Sequence, residues 1–218
     1  PVIGTYLIVQ RMALLGDVVA HAVLPGLAVA NFLNIPLLTG AFVSGMFSTF
    51  VTDWIRSQSK VKVDTAMALN FSSFFSLGVA LLTGLRSRLD LEELLFGNIL
   101  SITPADVREI GLITIAVLLA IKVFYKELLF FTFDRLGAEA VGLPVIAINT
   151  GLMAAITLTI VASIKTVGVI LVIALMVSPA AAAYLLTKEL HWMMIVGSGI
   201  GVLSCMIGMY ISYYFNTP

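Results

Sequence analysis

The sequence is poor in the residues on which most active sites are built. It has one cysteine, Cys205, and two histidines, His21 and His191, in 218 residues. A single cysteine excludes a disulfide framework and a thiolate metal cluster, and its place in an apolar segment gives it an expected packing role. Charge is scarce too, with 12 Lys and Arg against 12 Asp and Glu, only 11% of the chain. With no basic excess, nothing points to nucleic acid as a partner. There is no GxxxxGK[ST] phosphate loop, no HExxH, no GxSxG and no Cys/His cluster. The chain is therefore not expected to be an enzyme. Energy for uphill transport would have to come from a partner ATPase or from an ion gradient. An intramembrane enzyme is disfavoured by the same missing groups.

What fills the chain is hydrocarbon. Hydrophobic residues make up 60% and the mean hydropathy is +1.09, so this is a polytopic membrane protein embedded in a lipid bilayer. An all-α bundle follows, because backbone polar groups in lipid need partners within their own segment. With about 20 apolar residues per span as the yardstick, helices are expected near 12–33, 37–55, 66–85, 109–130, 144–164, 167–187 and 193–215. That makes about seven spans in a single transmembrane domain, 1–218. VIGTYLIVQ, running into Arg11, is too short to cross and reads as a partial first helix. The chain opens on Pro1 and stops at Asn216-Thr217-Pro218, so a fragment trimmed at both ends is expected.

The basic residues suggest an orientation. With Arg11 cytoplasmic, alternation places Arg56, Lys60, Lys62, Lys122, Lys126, Arg135 and Lys188 on the same side and Arg86, Arg88, Arg108 and Lys165 opposite. That bias obeys the positive-inside rule. The outer stretch 86–109 also carries Asp90, Glu92, Glu93, Asp106 and Glu109. It reads either as a rim that attracts cations or docks a partner, or as an ordinary solvated loop.

Against this apolar background Asp17 and His21 stand out, four residues apart within MALLGDVVAHAVLPGLAVANFL, residues 12–33. On a helix that spacing puts both side chains on one face, within reach of one bound cation. A carboxylate in hydrocarbon costs about 2.5–3.5 kcal/mol on the most lenient scale, so such a residue normally faces a bundle interior, a wet path or a partner. Pro25 lies four residues further on and has no N–H for the His21 carbonyl, so a kink and a freed oxygen are expected. The plainer reading is that Asp17 and His21 satisfy each other and Pro25 only shapes packing. His191, in TKELHW, reads as a surface or interfacial residue.

Small residues mark close helix approaches: Gly16 and Ala20 beside the polar pair, the stripe Gly40, Ser44 and Ser48, and the GxxxG of Gly197 and Gly201. The first seam either packs within the chain or meets a second copy. A two-fold axis there would gather two carboxylates and two imidazoles, a set suited to Mn²⁺ or Zn²⁺. In the connection TFDRLGAEAVGLPV, residues 132–145, Asp134 is placed to cap a short helix and Gly142 to end it. Such a helix between two spans is either a handle for a partner or a capped surface turn.

At this point the motifs acquire a likeness. The run VIGTYLIVQRMALLGDVVAHAVLPGLAVA resembles the second-helix region of the permeases of manganese, zinc and iron ABC importers, which read close to RRMALLGDALSHAVLPG. LLFGNIL, TFDRLGAEAVGLPV and KTVGVILVIALMVSPAAAAYLL are similar to that family too, and the likeness covers essentially the whole chain. It implies an ABC importer permease of the metal/cobalamin-siderophore type in a bacterial inner membrane. It also implies a permease homodimer, ATP-binding cassette ATPase subunits that hold the ATP, and an extracytoplasmic metal-binding protein that delivers the ion. No permanently bound cofactor is implied. Asp17 and His21 would form the transit site for the metal, Mn²⁺ foremost, with Zn²⁺ or iron as alternatives. Asp134, Arg135, Gly137, Glu139 and Gly142 would belong to the helix that couples the permease to the ATPase. A different class remains open on residues alone: a gradient-driven transporter or channel in which Asp17 and His21 relay protons.

Overall fold

The computed structural model describes residues 1–85, 95–97 and 102–215. Among them the chain is helical: α1 (Val2–Val9), α2 (Leu15–Leu33), α3 (Leu37–Gln58), α4 (Val63–Gly84), α5 (Pro104–Val123), α6 (Tyr125–Phe133), α7 (Arg135–Ala140), α8 (Val145–Leu186) and α9 (Leu190–Phe215). Five stretches are long and apolar enough to cross a membrane: Leu15–Leu33, Val63–Gly84, Val145–Ile164, Thr166–Leu186 and Leu190–Phe215. Two of the seven expected spans do not reach that standard. The one at 37–55 falls on α3, which carries Ser44, Ser48, Thr49, Thr52, Asp53 and Arg56. The one at 109–130 is divided, since Phe124 ends α5 and begins α6. Lys122, Lys126 and Glu127 cluster at that junction. The outer residues Arg86, Arg88, Asp90, Glu92 and Glu93 and part of LLFGNIL lie outside the described residues.

The chain divides into two compact units. The larger, Leu14–Ile173, is organised around α2. Val19, Ala22, Val23 and Ala28 are at most 1% exposed because α3 and α4 cover this helix. Absent side chains permit the approach. A Cβ on Gly26 would land on the Gly40 carbonyl oxygen, and one on Gly40 would meet the Ala30 methyl group. Beside them the Ser44 hydroxyl donates to the Ala22 carbonyl at 2.6 Å. The stripe expected at Gly40, Ser44 and Ser48 is thus the face that α3 turns inward. Further along, Asn70 of α4 donates through Nδ2 to the Ser48 carbonyl at 2.7 Å and contacts the Ser48 and Thr52 hydroxyls at 2.8 and 2.6 Å. All three residues are at most 2% exposed. Asn149, in the first turns of α8, donates to the Asp53 carboxylate at 2.6 Å.

α8 is two helical segments interrupted at Gly168, whose φ of 73° and ψ of 165° leave the helical region. Gly97 also has a φ of 73°. The position of a Cβ on either glycine is already occupied by the other's backbone, so two main chains touch where neither tolerates a side chain.

The smaller unit comprises Pro1–Ala13 and the chain from Ala174 onward. Here the GxxxG of α9 packs within the chain: Gly197 faces Pro179 and Ala183, and Gly201 faces Pro1 and Pro179. Cys205, expected to pack, is instead exposed, on a helix whose Val202, Leu203 and Met206 are exposed as well. A membrane helix turns such a face to lipid, so an apolar neighbourhood in sequence does not make a residue internal.

Both α1 and α2 end in Schellman turns. Arg11 (φ 56°) and Asn34 (φ 55°) occupy the left-handed position. The reverse hydrogen bonds run from Met12 to Leu7 and Arg11 to Ile8, and from Ile35 to Ala30 and Asn34 to Asn31.

Candidate functional site

Asp17 and His21 sit in the first half of α2, where burial of the rest of the helix fixes their face. His21 Nδ1 lies 3.0 Å from the Asp17 carbonyl oxygen and 3.1 Å from Oδ1 of the Asp17 carboxylate. The carbonyl can only accept, so Nδ1 carries the hydrogen, and in the neutral ring Nε2 is the nitrogen with a free lone pair. The imidazole is 16% exposed and the carboxylate side chain 41%. The pair therefore has a partly open carboxylate edge and an imidazole nitrogen, Nε2, that Asp17 does not engage. Among the described residues no group of three or more His, Cys, Asp or Glu gathers around an ion position. A bound cation needs further ligands from water or from another chain.

Pro25 is buried inside α2, which continues as one helix through it to Leu33. Gly16 and Ala20, considered as a seam for a second copy, are buried within this unit. The imidazole has a second set of neighbours that sequence reasoning missed. Phe71 and Phe75 of α4 both meet it edge to face, at centroid distances of 4.8 and 5.5 Å. An aromatic in a membrane span reads as a lipid-facing residue, so no signal in the sequence singles these two out. Asn70 and the Asp53–Asn149 bond were missed for a related reason, since each needs a partner far away in the chain. His191 is a surface residue as expected, half exposed and 3.5 Å from Glu189.

The connecting segment takes the expected form. Asp134 caps α7 by accepting from the Gly137 N–H at 2.8 Å. Gly142, at φ 86°, closes it with bonds from Gly142 to Glu139 and from Leu143 to Ala138. Arg135 places its guanidinium 5.7 Å from the centre of the Phe131 ring. Ala138 is buried, whereas Leu136 and Val141 are 79% and 73% exposed. Glu139 is exposed as well. Of the outer acids, Asp106 is committed to a capping box with Thr103 at the start of α5, and Glu109 is exposed.

An oriented carboxylate–imidazole pair thus lies on one of several helices long and apolar enough to cross a membrane, and a capped short helix is displayed on a connection, an arrangement that defines a polytopic membrane protein. The chain belongs to the ABC 3 transport family, which it matches over residues 1–218. It is 40% identical to the manganese transport system membrane protein MntC of Listeria monocytogenes, over 99% of this chain and 77% of that protein. It is 36% identical to the chelated iron transport system membrane protein YfeD of Yersinia pestis, over 99% of this chain and 72% of that one. Among solved structures it is similar to PsaBC from Streptococcus pneumoniae in complex with Fab, with a TM-score of 0.87, 38% identity, and coverage of 99% of this chain and 78% of that chain.

Proposed function

We propose that this chain is the permease subunit of an ATP-driven importer of divalent transition metal ions, Mn²⁺ foremost, in a bacterial inner membrane. The observation that carries the reading is the Asp17–His21 pair: Nδ1 is committed to Asp17, which leaves Nε2 and a carboxylate edge for a cation. The names of the manganese and chelated-iron relatives support the substrate class. Two ligands are too few to hold a dehydrated ion, so a second copy of the chain is proposed to supply two more about a two-fold axis. Because Gly16 and Ala20 are buried, that copy would approach along the exposed carboxylate edge.

In the proposed cycle an extracytoplasmic metal-binding protein releases the ion to this site. ATP-driven closure of the partner ATPases then acts through Asp134, Arg135, Gly137, Glu139 and Gly142 to shift the flanking helices. The site must bind weakly enough to let go.

Uptake of radiolabelled manganese and zinc tests the reading in cells expressing the full transport system. Asp17→Ala and His21→Ala are expected to abolish uptake while the protein stays in the membrane and the ATPase stays bound. Uptake that survives in both would remove the ion path from this pair. Uptake that ignores ATPase inactivation but collapses with the proton gradient would favour the proton-relay alternative.

A further inference from the structure

Between Asn70 and Gly78, α4 is pinned at both ends. At Asn70 it is tied to α3 by the buried contacts with Ser48 and Thr52. At Gly78 its backbone lies directly on α2, where a Cβ would stand 2.6 Å from Leu24 Cβ and 3.0 Å from Pro25 Cδ. Phe71 and Phe75 fall between these anchors, one turn apart. Their ring planes are parallel to within 1° with centroids 5.8 Å apart. The His21 ring crosses both, at interplanar angles of 70° and 71°. One imidazole is therefore gripped from two directions, by Asp17 through Nδ1 and by a pair of parallel phenyl rings on a helix that cannot easily withdraw.

We propose that Phe71 and Phe75 are positioning residues of the cation site, holding the His21 ring so that Nε2 stays in the ligand set and thereby setting which ions are accepted. The proposal rests on the reading of Asp17 and His21 as the transit site. An imidazole nitrogen favours first-row transition ions over Ca²⁺ and Mg²⁺, which take oxygen ligands. If His21 swings away, the ion is left with carboxylate and water, a set that hard cations accept equally well. The phenyl rings offer no lone pair, so Phe71 and Phe75 themselves add no oxygen that would favour Ca²⁺. They act like the outer partners of other metal-binding histidines, through orientation and not through ligation.

The test is equilibrium binding of Mn²⁺ and of Ca²⁺ to the purified permease in lipid nanodiscs, with Co²⁺ absorption as the report on imidazole ligation. In the Phe71→Leu/Phe75→Leu pair, which keeps apolar bulk but loses the flat rings, Mn²⁺ affinity is expected to fall about tenfold or more with Ca²⁺ affinity nearly unchanged. Its Co²⁺ spectrum should move toward that of His21→Ala. If the leucine pair fails to fold, Phe75→Leu alone, at a position 37% exposed, carries the same readout. Unchanged Mn²⁺ affinity, or equal losses for Mn²⁺ and Ca²⁺, would overturn the proposal. Co²⁺ binding that survives in both Asp17→Ala and His21→Ala would overturn the underlying reading first, and is seen before any phenylalanine variant is compared.

Discussion

A side chain on Gly137 would stand where the Asp134 carboxylate already is. The two residues are one device: the carboxylate folds over the start of α7 to reach the Gly137 N–H, and the missing Cβ makes room for it. Gly137→Ala and Asp134→Ala should therefore look alike, each weakening the cap by about 0.5–2 kcal/mol. Faster hydrogen exchange at the amides of α7 would show the loss. If α7 couples the permease to an ATPase, both variants should also reduce metal-dependent ATP hydrolysis with the protein still inserted.

Gly26 and Gly40 bring the backbones of α2 and α3 together. Gly26→Ala cannot be absorbed by a rotamer change, because the atom it would meet is a carbonyl oxygen of the main chain. The helices must separate, at an expected cost of about 1–3 kcal/mol. Thermal unfolding in detergent should show a Tm lower by several degrees, whereas Gly111→Ala, inside α5 where a Cβ meets nothing within 4 Å, should leave it unchanged or raise it slightly, since alanine is the better helix former.

Arg11 occupies a left-handed position that glycine takes without cost. Arg11→Gly is expected to raise stability by about 0.5–1 kcal/mol, and Arg11→Val to lower it, because a β-branched side chain is strained at that φ. Chemical denaturation of the three proteins ranks them. An order other than glycine above arginine above valine would mean that the Arg11 side chain makes a compensating interaction.

Asn70 anchors α4 through a carbonyl and two hydroxyls that have no access to water. Asn70→Leu removes the amide from all three contacts, although the Ser48 carbonyl keeps the Thr52 hydroxyl at 3.0 Å, and membrane hydrogen bonds of this kind contribute about 0.6 kcal/mol each on average. A loss of roughly 1–2 kcal/mol is therefore expected in unfolding measurements. Asn149→Ala, which orphans the Asp53 carboxylate, should cost a comparable amount, and Asp53→Asn should retain most of the native stability.

How legible these features are from sequence depends on the distance over which their physics acts. The cap at Asp134, the stop at Gly142 and the pairing of Asp17 with His21 are set within one or two helical turns, and local spacing reveals them. The boundary between the 144–164 and 167–187 spans was legible within a few residues of the break at Gly168. Among the described residues the stretches expected to span at 37–55 and 109–130 do not meet the standard of length and apolarity that the other five do. Hydropathy could not show that α3 carries its polar residues to meet Asn70, Asn149 and α2, or that the chain breaks at Phe124. Phe71, Phe75 and Asn70 were invisible because their roles exist only once α4 lies beside α2 and α3. Cys205 shows the opposite failure, an apolar context that turned out to face outward.

The glycine contacts around α2 also bear on how this protein can change over generations. Where two helices meet main chain to main chain, no side chain is available to be enlarged, trimmed or exchanged, and nearly every substitution damages packing before it alters anything else. The contact of α2 with α3 at Gly26 and Gly40 is such a wall. The α4 side of the cation pair is lined by replaceable rings. Lineages that adapt to a different metal supply should therefore carry their differences at positions 71 and 75 while leaving 26 and 40 untouched.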